Sequence, residues 1–113
     1  MDTLDRHDIP FDPTLICPPG GWGLGYGRPA VTHLIDTWGL RPGHDFDAIA
    51  ATEIGYALGC VPALRERGII VPDEVAVVGF NDHPSAIEMD PPITTMQKPF
   101  YTSGHRAMEA VLD

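Results

Sequence analysis

Five consecutive residues, Val75-Ala76-Val77-Val78-Gly79, are apolar, rich in β-branched side chains and too few for an ordinary helix. That is the pattern of a strand buried on both faces of a parallel sheet. A parallel strand needs a crossover from its neighbour, and the segment Gly55 to Arg67 supplies a helical one, with Ala57, Leu58, Val61 and Leu64 on its inner side and Gly68 as its stop. Pro62 falls inside that helix, where it removes one backbone bond and crowds the Leu58 carbonyl at a cost of roughly 3 kcal/mol. Open sheets of this type bind ligands outside the carboxyl ends of their strands, which is where Phe80-Asn81-Asp82-His83 falls.

The remaining elements follow the same alternation. Leu15-Ile16-Cys17 reads as a short strand closed by Pro18-Pro19, and a glycine-dense loop, Gly20 to Gly25, leads to a helix started by Pro29. Ala30, Val31, Leu34, Ile35 and Trp38 repeat with helical spacing, and Gly39 is placed to end the run. Phe46 to Ala51 reads as a second strand, Ile93-Thr94-Thr95-Met96 as a fourth, and a closing helix from about Tyr101 carries Ala107, Met108, Val111 and Leu112. Met1 to His7 reads as the last turns of a helix. The order predicts an α/β fold with a mostly parallel sheet flanked by helices on both faces.

With 113 residues, the chain has the length of one modest domain. Seven basic against sixteen acidic residues give a net charge of −9, the wrong sign for neutralising phosphates, and Arg65, Arg67, Lys98 and Arg106 are scattered. The first residues, MDTLDRHDIPFD, lack the basic and apolar regions of a signal peptide, and no apolar run reaches membrane-spanning length. A cytoplasmic location without membrane contact is expected, with Cys17 and Cys60 as buried free thiols rather than a disulfide. The twelve prolines fall mostly at loop edges and, beside a normal apolar fraction, indicate short connections rather than disorder.

Catalytic and cofactor chemistry find little support. His7, His33, His44, His83 and His105 show no metal-ligand spacing with each other or with cysteine, and His44-Asp45-Phe46-Asp47 reads as a polar turn. Ser85 and Ser103 lack a nucleophile-elbow context, and no carboxylates are paired at strand ends for acid–base work. A non-enzymatic chain without cofactor is expected. Gly25-Tyr26-Gly27-Arg28-Pro29-Ala30 matches G-x-G-x-x-A, which leaves a small nucleotide-binding or enzyme domain as the alternative. The glycines stand too far after Cys17 for the tight strand-to-helix turn that this fingerprint needs. Asp82 reads as the N-cap of a short turn from His83 to Glu88.

The ordered fragments Asp47-Ala48-Ile49, Ala57-Leu58-Gly59, Ala63-Leu64-Arg65-Glu66-Arg67-Gly68, Val71-Pro72, Gly79-Phe80-Asn81-Asp82 and Pro91-Pro92-Ile93-Thr94-Thr95 resemble the LacI/GalR family of transcription regulators. The likeness runs from Leu4 to Ala107. It implies that residues 1–113 are the C-terminal lobe of a periplasmic-binding-protein-like sensor domain, cut at both ends and without the helix-turn-helix head, the partner lobe or the family's effector-gripping arginine. Its effector would be a small polar molecule, sugar- or nucleobase-like, and DNA would be contacted only through the absent head.

Carried over position by position, the resemblance implies effector contacts at Trp22, Glu53, Asn81 and Phe100. Trp22 either offers a flat face to a ring or folds onto the core. Glu53 either accepts from ligand hydroxyls or only completes a helix start, and Phe100 is either pocket or core. Glu53-Ile54 replaces the family's usual Asn-Asp, and Asn81 its usual Asp, so the donor and acceptor pattern is altered. The family's dimer contacts would map to Leu58, Glu88 and Met89, and the isolated chain is expected to self-associate as a symmetric dimer or something larger.

Overall fold

The computed structural model describes residues 2–17 and 25–113. Three parallel strands, β1 (Ala48–Ala50), β2 (Ala76–Phe80) and β3 (Thr94–Met96), lie in the order β1-β2-β3. Ile49 pairs with Val77, and Gly79 with Thr95. Five helices accompany them: α1 (Asp2–Arg6), α2 (Gly27–Thr32), α3 (Ile54–Arg65), α4 (Pro84–Glu88) and α5 (Phe100–Leu112). The α/β class and the parallel sheet are as the sequence predicts.

Helix α3 organises the interior. It packs on α2 with one side and on β2 with the other, and eight of its twelve residues are buried, as expected of a helix that is apolar nearly all round. Leu64, Val61 and Cys60 join Val31 of α2 and Val75 beside β2 as the largest fully buried side chains. The helix continues past Pro62 to Arg65; dense packing on both sides outweighs the single backbone bond that proline removes. Helix α2 runs on into a wider π-helical turn over His33–Thr37; Gly39 beyond it and Gly68 beyond α3 have φ of +67° and +76°, a conformation that costs glycine little.

Alternation along β2 assigns the two faces of the sheet. Val77 is buried and Gly79 lies under Ile54 and Ala57 of α3. Val78 and Phe80 point the other way and are exposed, as are Ala48, Ala50, Thr94 and Met96, their neighbours on that face. The second face of the sheet is therefore open among the described residues, and no residue of α5 is buried.

Four expectations need correction. Leu15-Ile16-Cys17 is not a strand: Asp12 accepts from Thr14 N (2.8 Å) and Thr14 Oγ1 (2.6 Å), winding Pro13–Leu15 into a 3₁₀ turn. Cys17 is consequently half-buried, whereas Cys60 is buried; both are free thiols. The strand expected from Phe46 starts only at Ala48, because the turn Pro42 to Phe46 is closed by Gly43 N donating to Phe46 O (2.8 Å). Finally, the cap of α4 is His83, not Asp82: its ring Nδ1 accepts from Ser85 N at 3.2 Å. Pro84 fixes the first helical position, so the residue before it becomes the cap.

Ion pairs fasten the exposed sides of the helices. Arg28 of α2 forms a two-pronged pair with Glu66, one arm at 2.7 Å, which holds the Glu66 carboxyl below its ordinary range. Arg67 reaches Asp36 (2.8 Å), Thr32 Oγ1 (3.1 Å) and Ala63 O (3.0 Å). Being open to solvent, these pairs are screened and contribute little to stability.

Candidate functional site

The carboxyl ends of the three strands form one edge. Backbone bonds lock it, with Ala51 N donating to Val78 O (2.9 Å) and Asn81 N to Met96 O (3.1 Å). Parallel pairing thus delivers the residues after β1, β2 and β3 to the same side of the sheet.

Glu53 follows β1 with extended backbone (φ −151°, ψ 146°) and caps α3, its carboxylate accepting from Gly55 N at 2.7 Å. One oxygen is committed to the helix start, which the helix dipole favours; among the described residues the other carboxylate oxygen has no such tie. Ile54 is buried in the core and cannot reach a ligand through hydrogen bonding.

Asn81 follows β2 with φ +78°, a left-handed conformation that asparagine tolerates better than most residues. Its Oδ1 is buried and has no hydrogen-bond partner among the described residues. An unsatisfied buried acceptor costs on the order of 1–3 kcal/mol. Such an atom is a natural place for an incoming hydroxyl or N–H.

After β3 the chain places Lys98 with its ammonium 5.1 Å from the centroid of the Phe80 ring and 6.0 Å from that of Phe100. Phe80 and Phe100 are both partly open to solvent, at 37% and 64%, so an aromatic and cationic corner stands beside Asn81. Of the two readings open for Phe100, core is excluded and the edge remains. Trp22 lies outside the described residues.

Lys98 was not picked out from the sequence as a site residue, and Phe80 only as part of the loop Phe80 to His83. The usable signal was the spacing: Lys98 two residues beyond a strand and two before an aromatic, facing the last residue of the neighbouring strand.

The residues assigned to pairing by resemblance fall elsewhere. Leu58 and Met89 are partly buried against the chain's own core, whereas Glu88 is exposed at the end of α4. Open grooves flank Arg65, which donates to Asp90 O, but only Arg65, Glu66, Glu88 and Asp90 bring charge to them. Among the described residues no group of three or more metal-ligating side chains converges, and no helix is long and apolar enough to cross a membrane.

The G-x-G-x-x-A stretch has a packing role instead of a phosphate-binding one. Gly27 is buried against α3, and no strand is described at Leu15-Ile16-Cys17 to set up the strand–turn–helix geometry of a dinucleotide site.

Comparison with known proteins agrees with this geometry. A profile of the periplasmic binding protein-like domain family matches residues 3–113. The repressor CytR of Escherichia coli is 35% identical over 113 residues, covering 100% of this chain and 31% of that protein. A regulatory protein of the LacI family from Chloroflexus aggregans superposes with a TM-score of 0.83 at 27% identity, covering 96% of this chain and 37% of the other. A sugar-binding LacI-family regulator from Escherichia coli, solved with phosphate, gives 0.75 at 30% identity, covering 87% and 33%. The chain spans about a fifth to a third of the length of curated relatives that it matches. These relatives are transcriptional regulators, in line with the non-enzymatic reading of the sequence.

Proposed function

This chain belongs to the periplasmic binding protein-like domain family, in the form found in LacI-family regulators; from that premise we propose that it is the C-terminal lobe of an effector-sensing domain. Its ligand is a small polar molecule, sugar- or nucleobase-like, taken at the carboxyl edge of the sheet. One observation carries the reading: Asn81 brings an unpartnered, buried amide oxygen to that edge beside the Phe80–Lys98–Phe100 corner. Asn81 receives a ligand hydroxyl or N–H, Glu53 accepts through its second oxygen, and Phe100 with Trp22 gives apolar faces to the ring.

A sugar is favoured by the similarity to a sugar-binding LacI-family regulator. A nucleobase would use the same aromatic faces. In a complete regulator a second lobe supplies the remaining contacts, and closure over the effector shifts the population between two DNA-binding geometries. Glu88, with the accessible parts of Leu58 and Met89, contributes to pairing of such regulators, and the protein works in the cytoplasm.

Saturation-transfer NMR of the chain with a panel of monosaccharides, disaccharides and nucleosides tests this. Weak, saturable transfer to one class, lost in Asn81→Ala, is expected, since fewer contacts share the cost of binding. No transfer to any compound at millimolar ligand would contradict the reading.

A further inference from the structure

We propose that the ligand received at the carboxyl edge of the sheet carries an anionic group, a carboxylate or a phosphate, and that Lys98 is the residue that selects it. The inference rests on the reading of that edge as an effector site and names the class of effector.

Charge placement carries the argument. The chain has seven basic residues. Four of them are paired with carboxylates: Arg28 with Glu66, Arg41 with Asp45, Arg65 with Asp90 and Arg67 with Asp36. Of the three with no such pair among the described residues, Arg6 belongs to α1 and Arg106 to α5, and only Lys98 follows a strand. In a chain with sixteen acidic side chains, the fold keeps this lysine away from those described.

Its ammonium stands over Phe80 at 5.1 Å and Phe100 at 6.0 Å instead. No hydrogen bond or ion pair to a described residue uses its three N–H groups. Aromatic faces attract an ammonium without neutralising it. The junction Gln97-Lys98-Pro99 and the first turn of α5 bring no acidic residue to it.

The other polar groups at the edge have the opposite character. The Glu53 carboxylate and the buried Asn81 Oδ1 are acceptors, so they take donors from a ligand and give an anion nothing. Because β1 and β3 lie on either side of β2, Glu53 and Lys98 follow strands two spacings apart, roughly 10 Å. A ligand spanning the edge therefore offers hydroxyl or N–H groups toward β1 and β2 and an anion toward β3. A sugar acid, a sugar phosphate or a nucleotide has that polarity. A neutral sugar or nucleoside leaves the charge of Lys98 unanswered.

Overall charge cannot imitate this selection. At −9 the chain repels anions at long range, so without a local cation the neutral compound would bind better.

Dissociation constants of the full chain for matched compounds test the proposal: glucose against glucuronate and glucose 6-phosphate, and adenosine against adenosine 5′-monophosphate. Within the set that binds, the anionic member should bind about fivefold tighter, the size of a solvent-open ion pair. Lys98→Gln should remove that ratio and Lys98→Arg should retain it, whereas Asn81→Ala should weaken both members and leave the ratio in place. Neutral compounds that bind the wild type as well as their anionic partners would overturn selection by Lys98 while leaving the edge as a ligand site. A preference that survives Lys98→Gln would do the same. Inorganic phosphate binding as tightly as the phosphorylated compounds would overturn it too, because the ring would then add nothing. Failure of every compound to bind would overturn both the selection and the reading of the edge on which it rests.

Discussion

Gly27, at the start of α2, and Gly59, in the middle of α3, meet backbone to backbone. A side-chain carbon added at Gly27 would stand 2.5 Å from Cys60 N and 2.8 Å from Gly59 C; one added at Gly59 would stand 2.8 Å from Gly27 N. The contact lets α2 lie directly on α3 and lets the Cys60 thiol donate to Gly27 O at 3.5 Å. Burial, with Cys17 nearby, pushes that thiol's pKa up to about 12.

Gly27→Ala and Gly59→Ala should each destabilise the chain by about 3 kcal/mol, the upper end for overpacking because rigid backbone is what obstructs. Urea unfolding followed by circular dichroism measures this. Gly104→Ala in α5, where nothing lies within 4 Å, should instead raise helix stability by up to about 1 kcal/mol. Equal effects at all three positions would contradict the packing account.

Acid should weaken the protein through specific pairs. Hydrogen bonds from the Arg41 side chain, then its backbone N–H, then His44, hold the Asp45 carboxyl far below the ordinary range; Arg28 does the same, less strongly, for Glu66. A depressed folded pKa means that the stability these pairs add is present above the unfolded carboxylate value of about 4 and is lost as pH falls through the folded one. The urea midpoint should therefore fall on acidification, and Asp45→Asn and Glu66→Gln should flatten that fall. Both pairs are exposed, so added salt should shrink the effect. An unchanged slope in the double variant would contradict it.

Glu53 has a structural role that can be separated from ligand binding. Glu53→Ala should cost about 1 kcal/mol through loss of the α3 cap, whereas Glu53→Asp, an effective cap, should keep stability while moving the carboxylate. If Glu53 contacts ligand, Glu53→Asp weakens binding at unchanged unfolding midpoint. Unchanged affinity in Glu53→Asp would leave it only the cap.

With a net charge of −9, the chain should not hold duplex DNA, palindromic or random, even at low salt. Fluorescence anisotropy decides this, and saturable, sequence-dependent binding would contradict it.

The buried parts of the fold were legible because periodicity reports burial directly. Val75 to Gly79 was legible as the central parallel strand but not as one buried on both faces, since Val78 is 40% exposed, and the apolar run through α3 could only be a helix covered on two sides. Leu15-Ile16-Cys17 misled because three apolar residues carry no period, and Asp12 with Pro13 favours a local turn over pairing. At α4 the cap was read from the commoner residue, Asp82, although Pro84 marks His83. The strand ends that carry the candidate site were legible, and the groups lining them less so. Asn81's orphaned oxygen and the Lys98–Phe80 contact depend on neighbouring strands being brought together in register.

The central claim is that the carboxyl edge of this sheet receives a small polar ligand, and amide shift mapping tests it most directly. On titration with the ligand class that shows saturation transfer, ¹H–¹⁵N shifts should concentrate at Thr52 to Ile54, Phe80 to Asp82 and Gln97 to Tyr101, follow one binding curve, and shrink in Asn81→Ala. Shifts confined to the grooves beside Arg65 and Asp90, or spread evenly with no saturation, would contradict it.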